Sequence, residues 1–314
     1  MKGANRFFFS ALALAALTSA SFASLYSDNF DSDHTASYKV NHGPTDDHVN
    51  FFFDYSTLGI PTAPHSVGGT TRGLMLYSNT TGGVLGGPSV SPLGLSLTGD
   101  YVFKADVWMN FLGPAPAGGS GTTQVAGMGV LTNGTTAQYP GFANGIYFMT
   151  TNDGGSSADW RAYAPGHVTS YQDGDPVYYA TTRNSSNTYY ATKFLGDTPP
   201  AAQTALFASQ TGKAQAGCIA FAWHESTITK KGNLVTWDVD GLKIATIDIT
   251  TVSTGGTNIS FNYSDTNNGV STAANSFLTT AIFDNARVES VPEPGTMALL
   301  GLGVAAMARK RCKK

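Results

Sequence analysis

Hydrophobic and polar positions alternate with a period of two in many short runs of the chain, which is the pattern of half-buried β-strands. Within residues 101–111 the alternation sets Phe103 and Ala105 on one face and Lys104 and Asp106 on the other. Runs of similar character are separated by turns rich in Gly and Asn, and they lie at 48–56, 124–132, 145–151, 218–226 and 281–290. No segment between them has the 3.6-residue period of an amphipathic helix.

The clearest local prediction is a β-hairpin over residues 233–249, NLVTWDVDGLKIATIDI. Asp240-Gly241 separates two alternating runs, and this pair accepts the positive φ angles of a two-residue turn. Many short strands with Gly-rich turns in a body of this length predict an all-β fold, a two-sheet jelly-roll sandwich over residues 24–290.

The N-terminus has the composition of a secretory signal peptide. The basic segment MKGANR precedes the apolar run FFFSALALAAL, and small residues lead to Ala23. We expect signal peptidase to cut after Ala23, with Ala20 as the alternative site. Residues 1–23 are therefore assigned to the signal peptide, and the body is expected to be exported.

The C-terminal segment 291–314 combines a short apolar run with a basic end. The uncharged stretch 295–308 has 14 residues, which as a helix would reach roughly 21 Å. A bilayer core of about 30 Å usually needs about 20 apolar residues. We therefore expect a short, transient membrane helix whose basic end stays in the cytoplasm.

This segment resembles the PEP-CTERM sorting signal of Gram-negative bacteria. The residues that carry the resemblance are Pro292, Glu293 and Pro294 before the apolar run and Arg309, Lys310 and Arg311 after it. The resemblance implies that an exosortase, an integral-membrane protease, processes the chain near Pro-Glu-Pro. It also implies a place at the cell surface or in the extracellular matrix, in association with exopolysaccharide and biofilm. The alternative is an ordinary weak tail anchor.

Charge and cysteine content limit the partners and the disulfide bonds that the sequence allows. Without Glu293 and the seven basic residues of the two terminal segments, 20 acidic residues face 11 basic ones. This acidic body argues against nucleic acid as a partner. Cys312 lies in the segment to be removed, so Cys218 would be left without a disulfide partner and is expected to be a small buried residue.

The body resembles the concanavalin A-like lectin and glucanase superfamily in the order of its elements. The stretches that carry the resemblance are LYSDNFD, DYVFKADVWMNF, WDVDG and IFDNARVE. Glucanases of this superfamily carry Glu-x-Asp-x-(x)-Glu on one strand, which places two carboxylates at hydrolytic distance. The body has only Glu225 and Glu289, and neither lies in that pattern. We therefore expect no enzymatic activity and assign no catalytic residue, although a pair built from distant Asp residues stays open.

Two further site predictions come from the body. Superfamily members often hold a structural Ca²⁺ near their termini, which makes Asp31 and Asp284 candidate ligands. Residues 159–194 are dense in aromatic rings with polar edges, which suit sugar binding. The candidate ligand-binding residues are Trp160, Tyr163, Tyr171, Tyr178 and Tyr179; the alternative is that these rings pack in the interior.

The sequence thus predicts an exported surface or matrix protein that is non-catalytic and binds glycans in the manner of a lectin. One alternative is a polysaccharide-active enzyme, a glycoside hydrolase or lyase, with an atypical site built from Asp. The other is a purely structural or adhesive biofilm protein.

Overall fold

The computed structural model describes residues 23–81, 83–112, 123–266 and 276–291, and in these ranges the chain forms two packed antiparallel sheets. In chain order, the strands and helices are β1 (Ser24–Asp28), β2 (Tyr38–Asn41), β3 (Asp47–Asp54), β4 (Arg72–Ser78), β5 (Ser89–Pro92), β6 (Tyr101–Asn110), β7 (Gln124–Thr132), β8 (Ile146–Thr151), β9 (Trp160–Tyr163), α1 (Thr188–Ala191), α2 (Ala201–Leu206), β10 (Trp223–Lys231), β11 (Leu234–Val239), β12 (Leu242–Asp248), β13 (Asn258–Asp265) and β14 (Thr280–Ser290). The predicted all-β, two-sheet sandwich is confirmed.

The larger sheet has eight strands in the order β12-β11-β10-β6-β14-β4-β3, with β1 also paired to β14. The smaller sheet has six strands in the order β2-β5-β13-β7-β8-β9. The predicted hairpin is confirmed as β11 and β12, joined by Asp240 and Gly241 with φ angles of 47° and 75°. Both residues adopt the left-handed conformation that this two-residue turn requires.

The main core fills the space between the two sheets. Alternation within β6 directs Phe103, Ala105 and Val107 inward, where they are buried with Phe261 of β13. Rings of Phe103 and Phe261 meet edge to face at 5.5 Å between centroids. This is the inward face that the sequence alternation predicted, and it leaves Lys104 and Asp106 on the outer face of the larger sheet.

A second apolar cluster covers part of that outer face. Trp108 of β6, Met75 of β4 and Ile282 of β14 pack there beneath Tyr55 and Phe221, which come from connecting segments. The outer face is therefore not an open solvated surface. Connecting segments fold over it, and they bring distant parts of the chain together on it.

The two predicted terminal segments lie almost wholly outside the described residues. Of residues 1–23 only Ala23 is described, and its backbone bonds Ser290 of the last strand. Among the described parts of the chain, neither helix has the length and hydrophobicity needed to cross a bilayer.

Candidate functional site

Three acidic side chains from neighbouring strands lie in one row on the outer face of the larger sheet. Glu225 of β10 is in register with Asp106 of β6, and Asp106 is in register with Asp284 of β14. Directly opposed residues of antiparallel strands share a face, with Cβ atoms about 4.5–5.5 Å apart. We call Glu225, Asp106 and Asp284 the carboxylate row.

A β-bulge in β14 completes the row. The register with β6 shifts after Asp284, and Asn285 has a φ angle of 51°. Asn tolerates this left-handed conformation better than most residues. The bulge turns the Asn285 side chain toward the row, where its Nδ2 donates to Asp106 Oδ2 at 2.9 Å. Bulges are frequent beside functional sites because they redirect a side chain in this way.

A proline-containing segment, residues 61–66, crosses the row, and we call it the strap. It follows the short 3-10 helix Tyr55–Leu58. The His65 backbone N–H donates to Asp106 Oδ2 at 3.1 Å, and His65 Nδ1 lies 2.6 Å from Asp106 Oδ1. Ser66 Oγ donates to Asp284 Oδ2 at 3.1 Å. His65 Nε2 also lies 3.7 Å from Glu225 Oε2, so the strap contacts all three carboxylates.

The surroundings of Gly59, which lies just before the strap, leave no room for a side chain. Gly59 ends the 3-10 helix in the left-handed conformation, with φ 71°. A Cβ at this position would lie 2.4 Å from the backbone nitrogen of Gln203 in α2. Any larger residue would therefore push the start of the strap away from α2.

Glu225 is the most accessible member of the row, and it lies between two cations. Lys104 Nζ is 3.4 Å from Glu225 Oε1, and Arg287 bonds Oε2. Burial alone would raise the pKa of Glu225, but Lys104 and Arg287 outweigh it and hold the pKa below its usual range. Glu225 is therefore a carboxylate at neutral pH.

Asp284 has the opposite electrostatic environment. Burial raises the pKa of Asp284 to about 7, and the neighbouring Asp106 contributes in the same direction. Hydrogen bonds from the Asn285 backbone, Tyr55 and Ser66 oppose this rise without cancelling it. The row thus combines a carboxyl group that holds its proton near neutrality with one that is ionised.

The row is closed to large ligands. Asp106 is 1% exposed and Asp284 is fully buried. Glu225 and His65 do reach solvent, with 25% and 48% of their side chains exposed. As placed, Glu225 is the member of the row that a sugar could touch, together with His65 of the strap.

A cleft of about 670 Å³ lies on the same outer face, over β3 and β4. We call it the aromatic cleft. Its apolar lining is Val49, Phe53, Leu58, Met75, Tyr77, Phe207 and Phe277. Its polar lining is Asp47, His48, Asn50 and Thr57. This volume is within the about 300–1,000 Å³ of typical ligand sites, and such sites likewise combine rings with a few polar groups.

Three polar residues of β3 that line the aromatic cleft are fixed by contacts of their own. His48 stacks on Tyr77 with ring centroids 4.2 Å apart and planes 6° apart. Asp47 accepts from His42 Nδ1 at 2.9 Å. Asn50 Oδ1 accepts the Phe52 backbone N–H at 3.0 Å. Asn50 itself is exposed. The cleft therefore offers ring faces beside fixed hydrogen-bonding groups.

The predicted ligand-binding rings occupy a different position. Trp160, Tyr163, Tyr171 and Tyr178 are buried, and Tyr179 is 50% exposed. Trp160 stacks on Tyr190 at 5.1 Å, and its Nε1 donates to the Gly217 carbonyl at 3.1 Å. Four of these five rings thus have no free face for a sugar, in agreement with the alternative that they pack in the interior.

The two predicted calcium ligands, Asp31 and Asp284, have different hydrogen-bond partners in the structure. Asp31 accepts from Asn29 Nδ2 at 2.6 Å, whereas Asp284 is engaged by Tyr55 and Ser66 under the strap. Within the described ranges, no group of three or more His, Cys, Asp or Glu could hold a metal ion. As placed, Asp31 and Asp284 do not fit a shared site, and calcium stays a prediction that chelation would test.

Sequence reasoning missed both the carboxylate row and the aromatic cleft. His224 and Glu225 are neighbours on β10, and strand neighbours point to opposite faces. His224 does bond Asp240, at 2.7 Å, while Glu225 joins partners on two other strands. Which side chains lie side by side on neighbouring strands depends on the register between those strands. The alternation of β6 is the only signal of this arrangement in the sequence.

Comparisons with known proteins bear on the two parts of the chain separately. The PEP-CTERM protein-sorting motif matches residues 290–311. The predicted sorting signal is thereby confirmed, although Pro292, Glu293, Pro294 and the basic end lie outside the described residues. The motif marks the chain as an exported protein that is held transiently in the membrane. No curated protein sequence matches the chain.

Several solved structures are similar to the body at low identity. The Emp47p carbohydrate recognition domain is 10% identical with a TM-score of 0.41, covering 87% of this chain and 99% of that one. The endo-β-1,3-glucanase from Pyrococcus furiosus is 11% identical with a TM-score of 0.42, covering 86% and 94%. The Bacillus licheniformis β-glucanase is 10% identical with a TM-score of 0.39, covering 85% and 98%. A carbohydrate recognition domain and two glucanases are thus among the similar structures.

Proposed function

We propose that this protein is an exported surface or matrix protein that binds glycans without cleaving them. The observation that carries the proposal is the aromatic cleft, in which ring faces lie beside fixed polar groups. Phe53, Tyr77 and Phe207 supply apolar surface, and His48 and Asn50 supply hydrogen-bonding groups. Sugar rings have apolar C–H faces and hydroxyl edges, so a site of this composition is complementary to them.

The sorting motif supports a location outside the inner membrane for this activity. Signal peptidase would remove residues 1–23, and an exosortase-type protease would cut near Pro292, Glu293 and Pro294. The acidic body would then be left at the cell surface or in the extracellular matrix, where exopolysaccharide would be its glycan partner. Mass spectrometry of the C-terminus of the mature protein tests this step, because retention of Arg309, Lys310 and Arg311 would contradict it.

The direct test of binding compares ring removal inside and outside the aromatic cleft. The full chain is titrated against a panel of matrix polysaccharides, alongside Phe207→Ala and Phe142→Ala. Phe207 lines the cleft and is half-buried, and Phe142 is an exposed ring elsewhere, 42% exposed. We expect Phe207→Ala to weaken binding by about tenfold, equal to about 1.4 kcal/mol. Phe142→Ala should bind like the unmodified protein.

Two outcomes would contradict the proposal. If no polysaccharide of the panel binds, a structural or adhesive role is what remains. If Phe207→Ala and Phe142→Ala bind equally well, the glycan site lies elsewhere. Thermal melting of both variants is the control, because Phe207 also packs against Phe277 at 5.9 Å between ring centroids.

A second candidate function is a polysaccharide-active enzyme, a hydrolase or lyase. The observation that favours it is the carboxylate row, in which Asp284 retains a proton near neutrality while Glu225 is ionised. Acid and base roles are commonly divided between two such carboxyl groups. Release of reducing ends or unsaturated products, abolished by Glu225→Gln, would establish this function. Absence of product from a polysaccharide that does bind would favour the non-catalytic one.

A further inference from the structure

The free edge of β3 borders the aromatic cleft. β3 is the outermost strand of the larger sheet, and among the described strands it pairs only with β4. The Asn79 backbone N–H donates to the Asp46 carbonyl at 3.0 Å, so the main chain of Asp46 points toward β4. In an antiparallel pair, main-chain groups point alternately toward the partner strand and away from it. The N–H and C=O groups of Asp47 and Val49 therefore point away from β4.

Asp47 and Val49 line the aromatic cleft although their side chains are directed elsewhere. The Val49 side chain packs against the main core. The Asp47 carboxylate is held by His42, and 8% of the Asp47 side chain is exposed. His48, which lies between them in the sequence, stacks on Tyr77 on the outer face. Asp47 and Val49 thus reach the cleft with their main chain, and each presents one N–H donor and one C=O acceptor.

Within the described part of the chain, the N–H and C=O groups of Asp47 and Val49 make no hydrogen bond. The neighbouring part of the same edge is covered by side chains. The Phe52 N–H donates to Asn50 Oδ1 at 3.0 Å, and Arg72 Nη1 donates to the Phe52 carbonyl at 3.1 Å. Covering a sheet edge prevents it from pairing with other molecules. The edge of β3 is thus covered at Phe52 and open at the two residues that line the cleft.

We infer that a bound glycan lies along the free edge of β3 and that its hydroxyl groups bond the main chain of Asp47 and Val49. This inference rests on the proposed glycan-binding function and identifies polar contacts of that same cleft. A hydroxyl group both donates and accepts, so it can bond either an N–H or a C=O group. Equivalent groups two residues apart on a strand are separated by about 6.8 Å. An extended segment of polysaccharide that follows the strand can bond both residues while its sugar rings contact the aromatic rings.

Val49→Pro tests the inference because proline removes one main-chain N–H and keeps an apolar side chain. Proline is tolerated on an edge strand where the N–H points away from the sheet, so we expect the variant to fold. The full chain and its variants are titrated with a soluble neutral β-glucan. Val49→Pro should weaken binding by about threefold to tenfold, as expected for the loss of one hydrogen bond. Val49→Ala keeps the N–H and should bind like the unmodified protein.

The matched control is Val40→Pro in β2, the outermost strand of the smaller sheet. The Leu93 N–H donates to the Ser37 carbonyl at 2.8 Å, so by the same alternation the Val40 main chain points away from β5. The Val40 side chain also packs against the main core, and Val40 is not part of the cleft lining. Val40→Pro should bind the glucan like the unmodified protein, and thermal melting shows whether both proline variants fold.

Amide hydrogen exchange of the unmodified full chain is a second measurement, which does not depend on the folding of a variant. The Val49 N–H should exchange more slowly when the β-glucan is bound, because a hydroxyl group then accepts it. Unchanged exchange at Val49 in the bound protein would overturn the inference.

The outcomes separate this inference from the proposed function. If Phe207→Ala weakens binding and Val49→Pro does not, the inference is overturned and the proposed function stands. The same holds if Val49→Pro and Val40→Pro weaken binding equally, or if Val49→Ala weakens it as much as Val49→Pro. Failure of the unmodified protein to bind the β-glucan would overturn the inference. Failure to bind any polysaccharide of the panel would overturn the proposed function as well.

Discussion

Two regions of this protein are rich in aromatic rings, and they differ in what the fold does with them. Residues 159–194 concentrate their rings in one stretch of sequence, and the structure buries Trp160, Tyr163, Tyr171 and Tyr178. The aromatic cleft draws its rings from β3, β4, the end of α2 and the short 3-10 helix Ser276–Leu278, and it leaves them partly open. Density of rings in a sequence therefore says little about whether a ligand can reach them.

The cause lies in how the polar edges of the rings are satisfied. Within 159–194, the Tyr178 hydroxyl donates to the Tyr171 carbonyl at 3.2 Å and accepts the Ala162 N–H at 2.9 Å. A ring whose polar edge finds partners inside the protein can be buried at little cost. The stretch thus behaves as a core with few large aliphatic residues. The cleft rings remain partly exposed because sheet and loops do not close over them.

The largest expected effect is on stability, from Trp160→Ala. Trp160 is fully buried and contacts Tyr190, Phe194 and Trp237. Removing a large buried ring typically costs about 3–5 kcal/mol. Urea unfolding should show a loss of that size in the free energy of unfolding, while the protein that remains folded still binds glycan. A loss below about 1 kcal/mol would mean that the stretch is not core.

Like residues 159–194, the carboxylate row should affect the stability of the protein. Its contribution to the free energy of unfolding should depend on pH. The pKa of Asp284 is raised from 3.8 in its ordinary state to about 7. Between these values the unfolded chain has lost this proton and the native protein keeps it, so this group makes stability fall as pH rises. The full effect is about 4 kcal/mol by the usual conversion, an upper bound for one group.

Asp284→Asn isolates that contribution, because other carboxyl groups, such as Glu225, have lowered pKa values and act in the opposite direction. The free energy of unfolding of the variant minus that of the unmodified protein is measured at pH 4 and pH 7.5. We expect this difference to increase by on the order of 2–4 kcal/mol over that interval. A difference independent of pH would show that Asp284 is ionised in the native protein.

A smaller effect is expected from the His48 ring, which forms part of the cleft wall. Its stack on Tyr77 presents an imidazole face, and 43% of the side chain is exposed. His48→Ala should weaken glycan binding by about three- to tenfold, since one stacking surface is worth about 1 kcal/mol. Titration calorimetry measures this, and His167→Ala is the matched control because His167 stacks on Tyr171 far along the chain.

The smallest effect is expected from Tyr179, the exposed ring of the predicted stretch. Its hydroxyl lies 3.2 Å from Thr246 Oγ1 on the edge strand β12. Tyr179→Ala should change glycan affinity by less than about twofold, within the about 0.5 kcal/mol typical of surface substitutions. A loss as large as that of Phe207→Ala would reverse the comparison and restore residues 159–194 as the ligand surface.

The sequence was sufficient to predict the sandwich and its most regular strands. β6 and β7 fall within the predicted runs, and the hairpin turn at Asp240-Gly241 is where Asp-Gly predicted it. The strand expected over 218–226 instead begins at Trp223, because Ala220 and Phe221 belong to the segment that covers the outer face. β13 was not among the predicted runs, although Ser and Asn alternate with its apolar residues, and all of its residues are buried.

The sites could not be predicted in the same way. Glu225, Asp106 and Asp284 are far apart in the chain, and only the pairing register of three strands aligns them. The cleft likewise depends on where Phe207 and Phe277 arrive after the connecting segments have folded over the sheet. Local patterns report the period of each strand, but they do not report which strands become neighbours.

The central claim is that glycan binds in the aromatic cleft and not on residues 159–194. Hydrogen–deuterium exchange of the full chain, with and without a bound neutral glucan, tests it most directly. We predict slower exchange in peptides covering β3, the 3-10 helix Tyr55–Leu58 and Phe207, with no change across 159–194 and no shortening of the glucan. Protection confined to 159–194, or shortened glucan chains in the recovered ligand, would contradict it.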